Sequence, residues 1–379
     1  MVDITPSSQQ SVPRHLQAEN AEVFAEAIAV LVRGVKEHAF PGAAFAVTQE
    51  DRTILRGSIG RFTYEPDSPE VLHETVFDLA SVTKVVATTS MAMKLYDAGR
   101  LNLEQRVAEL VPEFVAGDQA RDPRRNEITL RMLLAHSSGL PAYRRLFEQA
   151  GTREELLGAI YSMPLEAAPG ARAEYSDIGF ILLGEALQRI IGESLDGFCQ
   201  REIFATLGMT HTAYLPPAEW RSGIPPTVND TTFRHRTIQG EVNDENASVL
   251  GGVSAHAGIF SNAEDTSRFA LSMLGYGRQL FRPGTVALFT ARQTTPAGSS
   301  RALGWDTPSA PSQAGRYFSS HSFGHLGYTG TSLWIDGRRK ISITLLTNRT
   351  WPDARSQAIK QMRPQFHDAV MKQLIEGEN

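Results

Sequence analysis

Cysteine occurs once in 379 residues, at Cys199, so no intramolecular disulfide can form and a cysteine-built metal site is excluded. Its setting, LDGFCQREIF, reads as an apolar helical stretch where a lone thiol is a small core residue. Lysine is scarce as well, with six in a combined Lys and Arg count of 37. No apolar run approaches the roughly 20 residues of a membrane-spanning helix. The opening MVDITPSSQQSVPRHLQ lacks the apolar centre of a secretory signal, which makes the cytoplasm the expected location. Nor is there a basic stripe: net charge is −5, and the arginines of RDPRRNE and DGRRKIS stand in turn-like contexts that read as solvated surface. Nucleic acid is therefore not an expected partner.

What remains is an ordinary globular composition, 41% hydrophobic and 21% charged, long enough for two structural lobes. Residues 17–37 carry apolar positions at helical spacing. GAAFAVTQE and TILRGSIGR, separated by DR, read as a β-hairpin. From about 100 to 290 the pattern is mostly helical with long loops, and 214–256, rich in Pro, Gly, Asn and Asp, reads as extended loop. TSLWID and KISITLLTN around GRR form a second hairpin, and a last helix spans roughly 353–375. Strands at both ends predict an α/β (α+β) fold: one antiparallel sheet flanked by helices, plus a mainly helical inserted lobe. The expected division is 1–99 with 290–379 for the sheet lobe and 100–289 for the insertion.

One stretch stands out. In FDLASVTKVVATTS, Lys84 interrupts a helix that is otherwise apolar or hydroxylic on every face. Burying an unpaired ammonium is costly, so the lysine needs a reason. On a helix, Ser81 and Lys84 share a face. The positive end of the helix dipole and burial both disfavour an ammonium there, and a lysine so placed can give up its proton and activate a serine. The plain alternative is a surface lysine after an N-cap serine. Against it, this is the sole S-x-x-K in the chain.

FDLASVTK resembles the nucleophile motif of the serine β-lactamase and penicillin-binding protein superfamily. It is most similar to the branch holding class C β-lactamases, DD-peptidases, β-lactamase-fold esterases and muropeptide amidases. That resemblance calls for a Y-x-N motif, matched by Tyr175, Ser176 and Asp177 in AEYSDIGF, and a K-T-G or H-T-G motif, matched by His325, Leu326 and Gly327 in FGHLGYTG. Order and spacing agree, and LLAHSSGLP and LLTNR look familiar too. Taken singly, each has a plain reading: Tyr175 a loop tyrosine, Asp177 the cap of the helix IGFILLG, His325 a satisfied strand histidine.

The resemblance implies acyl transfer without metal or cofactor. Ser81 attacks a carbonyl, and Lys84 and Tyr175 share its proton, with a phenol ionised or nearly so as candidate base. The backbone N–H groups of Ser81 and Tyr328 hold the oxyanion, and Asp177, His325, Leu326 and Gly327 meet the substrate. Two departures shape specificity. Leu326 deletes a hydroxyl donor, and Asp177 puts an acceptor-only anion where the family has an amide. His325, cationic part of the time, compensates poorly. Weak β-lactamase activity is expected, and a small ester, amide or muropeptide fits better. Residues 225–261 resemble a segment of cell-wall recycling members, with Asn243 where a histidine is expected. A structural loop with His256 packed inside is the competing reading. Trp305, Tyr143 and Phe147 are candidates for an acyl pocket by motif proximity alone. A non-catalytic ligand sensor is the alternative from another class; α/β-hydrolase and zinc-hydrolase motifs are absent from the sequence.

Overall fold

The computed structural model describes residues 21–117 and 122–376. The first expected helix appears as α1, Ala25–Lys36; its expected residues 17–20 lie outside the described residues. The first hairpin is β1, Gly42–Gln49, and β2, Arg52–Gly60. Near the other end run β3, Ser322–Leu326, β4, Ser332–Asp336, and β5, Ile341–Thr347. They form one antiparallel sheet in the order β2-β1-β5-β4-β3. The two hairpins meet because β1 pairs with β5, Ala43 opposite Thr347 and Gln49 opposite Ile341.

Strand alternation decides what each face covers. Phe45 and Val47 of β1, Trp334 of β4 and Ile343 and Leu345 of β5 enter one core with Leu31 of α1. That face is closed by the C-terminal helix α5, Ile359–Glu376, whose Phe366 meets Phe45 with ring centroids 5.7 Å apart. Ala44 and Ala46, with Leu333, Ile335 and Leu346, face a second and larger core. It holds α2, Ser90–Asp97, α3, Asp177–Ile191, and α4, Ala263–Met273. Each large side chain sealed there contributes roughly 1.5–3 kcal/mol. Cys199 is buried in this core, and burial pushes its thiol up. No helix of the described residues is long and apolar enough to cross a membrane.

Three readings change. Arg125 is not solvated surface: it is 2% exposed, its Nε donating to Phe114 O at 2.9 Å and its Nη1 to Met163 O at 2.7 Å. Its Nη2 donates to Tyr161 O, so one guanidinium satisfies three carbonyls at helix ends that composition does not reveal. Residues 214–256 are more ordered than extended loop. Val228–Asp230 pairs with Arg236–Ile238, and a short helix, Glu245–Val249, follows. Lastly, Asp177 does not cap α3. Ser176 does, its Oγ accepting from Gly179 N at 2.9 Å, which frees the Asp177 carboxylate to point elsewhere.

Candidate active site

The chain enters the site through a two-residue strand, Phe77–Asp78, paired with Ile259–Ser261. Ala80 then takes a left-handed φ of 46°, a conformation that costs a non-glycine residue about 1–2 kcal/mol. The Asp78 carboxylate holds it there, accepting from Ala80 N at 2.7 Å and from Asn243 N at 2.6 Å. The turn Ala80–Val82 leads through wide π-type turns, Lys84–Thr89, into α2. Gly99, at φ 68°, follows the helix end as its sequence position suggests.

β3 and the turn after it close over this entry. Thr329 Oγ1 donates to Asp78 O at 2.8 Å and Thr331 Oγ1 to Leu79 O at 2.9 Å. Gly327 lies between: a Cβ there would stand 2.0 Å from Thr331 Oγ1 and 2.5 Å from Leu79 O. Only glycine permits that approach.

Lys84 is fully buried, and its Nζ lies 3.0 Å from Ser81 Oγ, 2.7 Å from Asp177 Oδ1 and 2.9 Å from His256 O. Burial pulls its ammonium below the ordinary lysine value, although Asp177 opposes the shift. Tyr175 is half-buried, its ring 4.8 Å from Lys84 Nζ and its hydroxyl bonded to Ser81. Here an expectation fails. Burial and then the Asp177 charge push the phenol well above its ordinary value, so Tyr175 is a neutral phenol rather than an ionised one. His325 also differs. Burial, with Lys84 and Arg301 nearby, holds it far below the ordinary imidazole value, so it carries no charge near neutrality. Its Nδ1 bonds to Leu326 O at 2.8 Å, which leaves Nε2 buried without a partner.

Ser81, Tyr175, Asp177, His325, Leu326, Gly327 and Tyr328 all line one cavity of about 650 Å³. Tyr143 lines it too. Trp305 and Phe147 do not: Trp305 is fully buried against Phe323, centroids 5.0 Å apart, and Phe147 packs on Phe233 at 4.9 Å. Proximity in sequence to a motif did not carry them to the wall.

Sequence reasoning missed several participants. His136, at φ 55°, packs with its ring tilted against the Tyr175 ring, centroids 4.7 Å apart, and accepts from Ser176 N at 3.0 Å, so it positions the tyrosine loop. Arg301 stands over the outer Tyr175 face, 5.3 Å from its centroid. Within 225–261, Asp244 accepts from His256 at 2.9 Å; burial opposes its ionisation, but His256 holds the carboxyl below its ordinary range. His256 is packed inside as the structural reading expects, and the same segment supplies the carbonyl that anchors Lys84. AHSSG and NDENA were the available signals for His136 and Asp244; nothing in sequence marked Arg301. Among the described residues no cluster of three or more His, Cys, Asp or Glu could hold a metal.

A fold in which S-x-x-K, Y-x-D and H-x-G meet on one cavity wall has relatives. The family described as Beta-lactamase matches residues 26–363. The chain belongs to that family. It is a hydrolase of the β-lactamase fold. N-acetylmuramyl-L-alanine amidase of Bacillus subtilis (strain 168) is 31% identical, with 89% of this chain and 84% of the relative covered. A protein of Escherichia coli (strain K12), provisionally named D-alanyl-D-alanine carboxypeptidase, is 33% identical over 73% of this chain and 69% of its own. Among solved structures, EstCE1, a hydrolase with promiscuous acyltransferase activity, superposes with TM-score 0.75 at 22% identity, covering 92% of this chain and 99% of its own. The mixed fold of antiparallel sheet and helices is the one expected.

Proposed function

We propose that the protein is a serine hydrolase that forms an acyl-enzyme on Ser81, with esters and amides as substrates and weak activity on β-lactams. The observation that carries this reading is a fully buried Lys84 whose Nζ stands 3.0 Å from a hydroxyl on the cavity wall. The Lys84 ammonium that pairs with Asp177 at rest first gives up a proton to solvent, which its burial favours, and the resulting amine takes the Ser81 proton as Oγ adds to the carbonyl carbon. The Ser81 and Tyr328 N–H groups hold the oxyanion, each such donor accounting for about 3–4 kcal/mol of barrier elsewhere. On collapse the C–X bond breaks, Tyr175 gives its phenolic proton to the leaving group, and the Lys84 ammonium reprotonates the phenol. Water then repeats the cycle at the ester carbonyl. Asp177 holds Lys84 in place and His136 holds Tyr175.

Substrate choice follows from charge. Asp177, uncharged His325 and donor-free Leu326 offer no charged donor of their own to a carboxylate beside the reacting bond, as a β-lactam would require, and Arg301 over Tyr175 already faces Asp306 at 3.5 Å. A muropeptide amide is the second reading, supported by the amidase relative that covers most of the chain.

The test is a side-by-side assay of wild type and Ser81→Ala on a short-chain p-nitrophenyl ester, a chromogenic cephalosporin and a muramyl-L-alanine peptide. Ser81-dependent ester turnover supports the first reading, and preference for the muropeptide the second. Cephalosporin as the best substrate refutes the charge argument; no Ser81-dependent turnover of any refutes the mechanism.

A further inference from the structure

The cavity has a second group of lining residues, from the connection between β5 and α5 and from the first turns of α5: Arg349, Gln357, Lys360 and Arg363. Two of them are buried cations. Arg349 is 7% exposed and Arg363 4%. Arg349 is fastened by carbonyls: its Nε donates to Tyr328 O at 2.7 Å, its Nη1 reaches Ala354 O at 3.3 Å and Ser356 O at 3.4 Å, and its guanidinium lies 4.4 Å from the Tyr328 ring centroid. Arg363 donates Nη1 to Gln313 Oε1 at 3.1 Å, and its Nε is buried with no acceptor. Neither forms an ion pair with any described residue. Burial, then the neighbouring Arg349 charge, pulls Arg363 down to about 9.

The aspartates of the wall contrast with them. Asp177 lies 2.7 Å from Lys84, Asp244 bonds to His256 at 2.9 Å and Asp306 lies 3.5 Å from Arg301, while Glu245, from the short helix Glu245–Val249, lines the cavity without an ion pair to any described residue. On the α5 side of the wall the charge is positive, because Arg349, Lys360 and Arg363 line it and no acidic lining residue comes from that segment. Buried guanidinium groups are ordinarily neutralised by an anion held in their planar fork. Lys360 beside them and the N-terminal turn of α5 add to the same field.

We infer that Arg349 and Arg363 form an anion subsite in the cavity, taking a carboxylate or phosphate that the substrate carries away from its scissile carbonyl. The assignment to a substrate rests on the acyl-enzyme reading; the binding of an anion does not. It fits the loss of cationic function on β3, where His325 is neutral and Leu326 has no donor. The substrate class becomes esters or amides neutral at the reacting bond and anionic at a remote end.

Calorimetric titration of Ser81→Ala protein with glutarate and, separately, inorganic phosphate tests binding without turnover. Saturable binding of either anion is expected, and which one binds tighter identifies the group. Arg363→Met in that background should weaken binding by about tenfold or more, the weight of a charge-assisted hydrogen bond. If Arg363→Met does not fold, Arg349→Gln carries the same comparison. Binding of neither anion, or equal affinity in a folded arginine variant, overturns the inference. A second arm compares p-nitrophenyl hemiglutarate with p-nitrophenyl butyrate: wild-type kcat/KM should favour the hemiglutarate, and Arg363→Met should erase that preference. A preference retained in Arg363→Met refutes the subsite. Anion binding without hydrolysis of either ester sinks the acyl-enzyme reading and leaves the subsite standing.

Discussion

Replacing Lys84 with methionine separates its charge from its volume. Methionine fills a similar space and suits a helix, so packing against Phe180 and Tyr175 survives. What disappears is the partner of Asp177, 2.7 Å away, with Lys84 fully buried and the Asp177 side chain 17% exposed. Breaking a buried pair costs about 3–5 kcal/mol because the remaining charge is uncompensated. Asp177 lines the open cavity, so the low end, about 3 kcal/mol, applies. Unfolding entropy is about 2.1 cal/mol/K per residue, or about 0.8 kcal/mol/K over 379 residues. The expected fall in Tm is therefore about 4 °C. Adding Asp177→Asn removes the orphan charge and should restore most of that loss. Activity behaves differently. Without the amine, ester turnover should fall by about 10²–10⁴ in the single variant and stay low in the double. Calorimetry and p-nitrophenyl ester kinetics on the three proteins decide the matter. Turnover within roughly threefold of wild type in either folded variant refutes Lys84 as the proton acceptor.

Three more outcomes follow from the same geometry. Gly327→Ala places a Cβ 2.0 Å from Thr331 Oγ1 and 2.5 Å from Leu79 O, so it should lower both Tm and ester kcat, since β3 must back away from the Ser81 entry; wild-type values for both would exclude that contact. Asp78 is fully buried and burial raises its carboxyl to about 6, so its favourable contribution is complete below about pH 4 and is lost as pH rises through 6. The Tm difference between wild type and Asp78→Asn should move against wild type across that window, by the equivalent of about 3 kcal/mol at most; a flat difference contradicts the raised value. Arg125→Met strands the carbonyls of Phe114, Tyr161 and Met163, which at roughly 1–3 kcal/mol per unsatisfied group should give a clear Tm loss with ester KM unchanged, as read by thermal melts and kinetics.

How much was legible divides along a physical line. Local chemistry is written locally. Alternation in GAAFAVTQ and KISITLLTN marks strands, Gly99 marks a helix end, and the four-residue reach of a helix turn brings Lys84 to Ser81 before any tertiary contact is known. The motifs at Tyr175 and His325 were readable because their order and spacing are those of a family, and the shared cavity wall agrees. Misreadings came where burial sets the outcome. The ionisation of Tyr175 and His325 depends on how much water the surrounding lobes exclude, and no residue type records that. Asp177 lost its capping role to Ser176 because the chain turned one residue earlier than the apolar pattern implied.

The sequence by itself determined that a serine and a lysine would share a helix face, that two hairpins would exist, and that no disulfide would help. Tertiary structure alone decided that His256 O, 172 residues from Lys84, holds its amine, that Arg125 is a buried fastening, and that Arg349 and Arg363 stand unneutralised on the cavity wall. The reason is range. Helix and strand preferences act over a few residues, whereas desolvation and charge pairing depend on which distant segments the sheet and its two cores bring together.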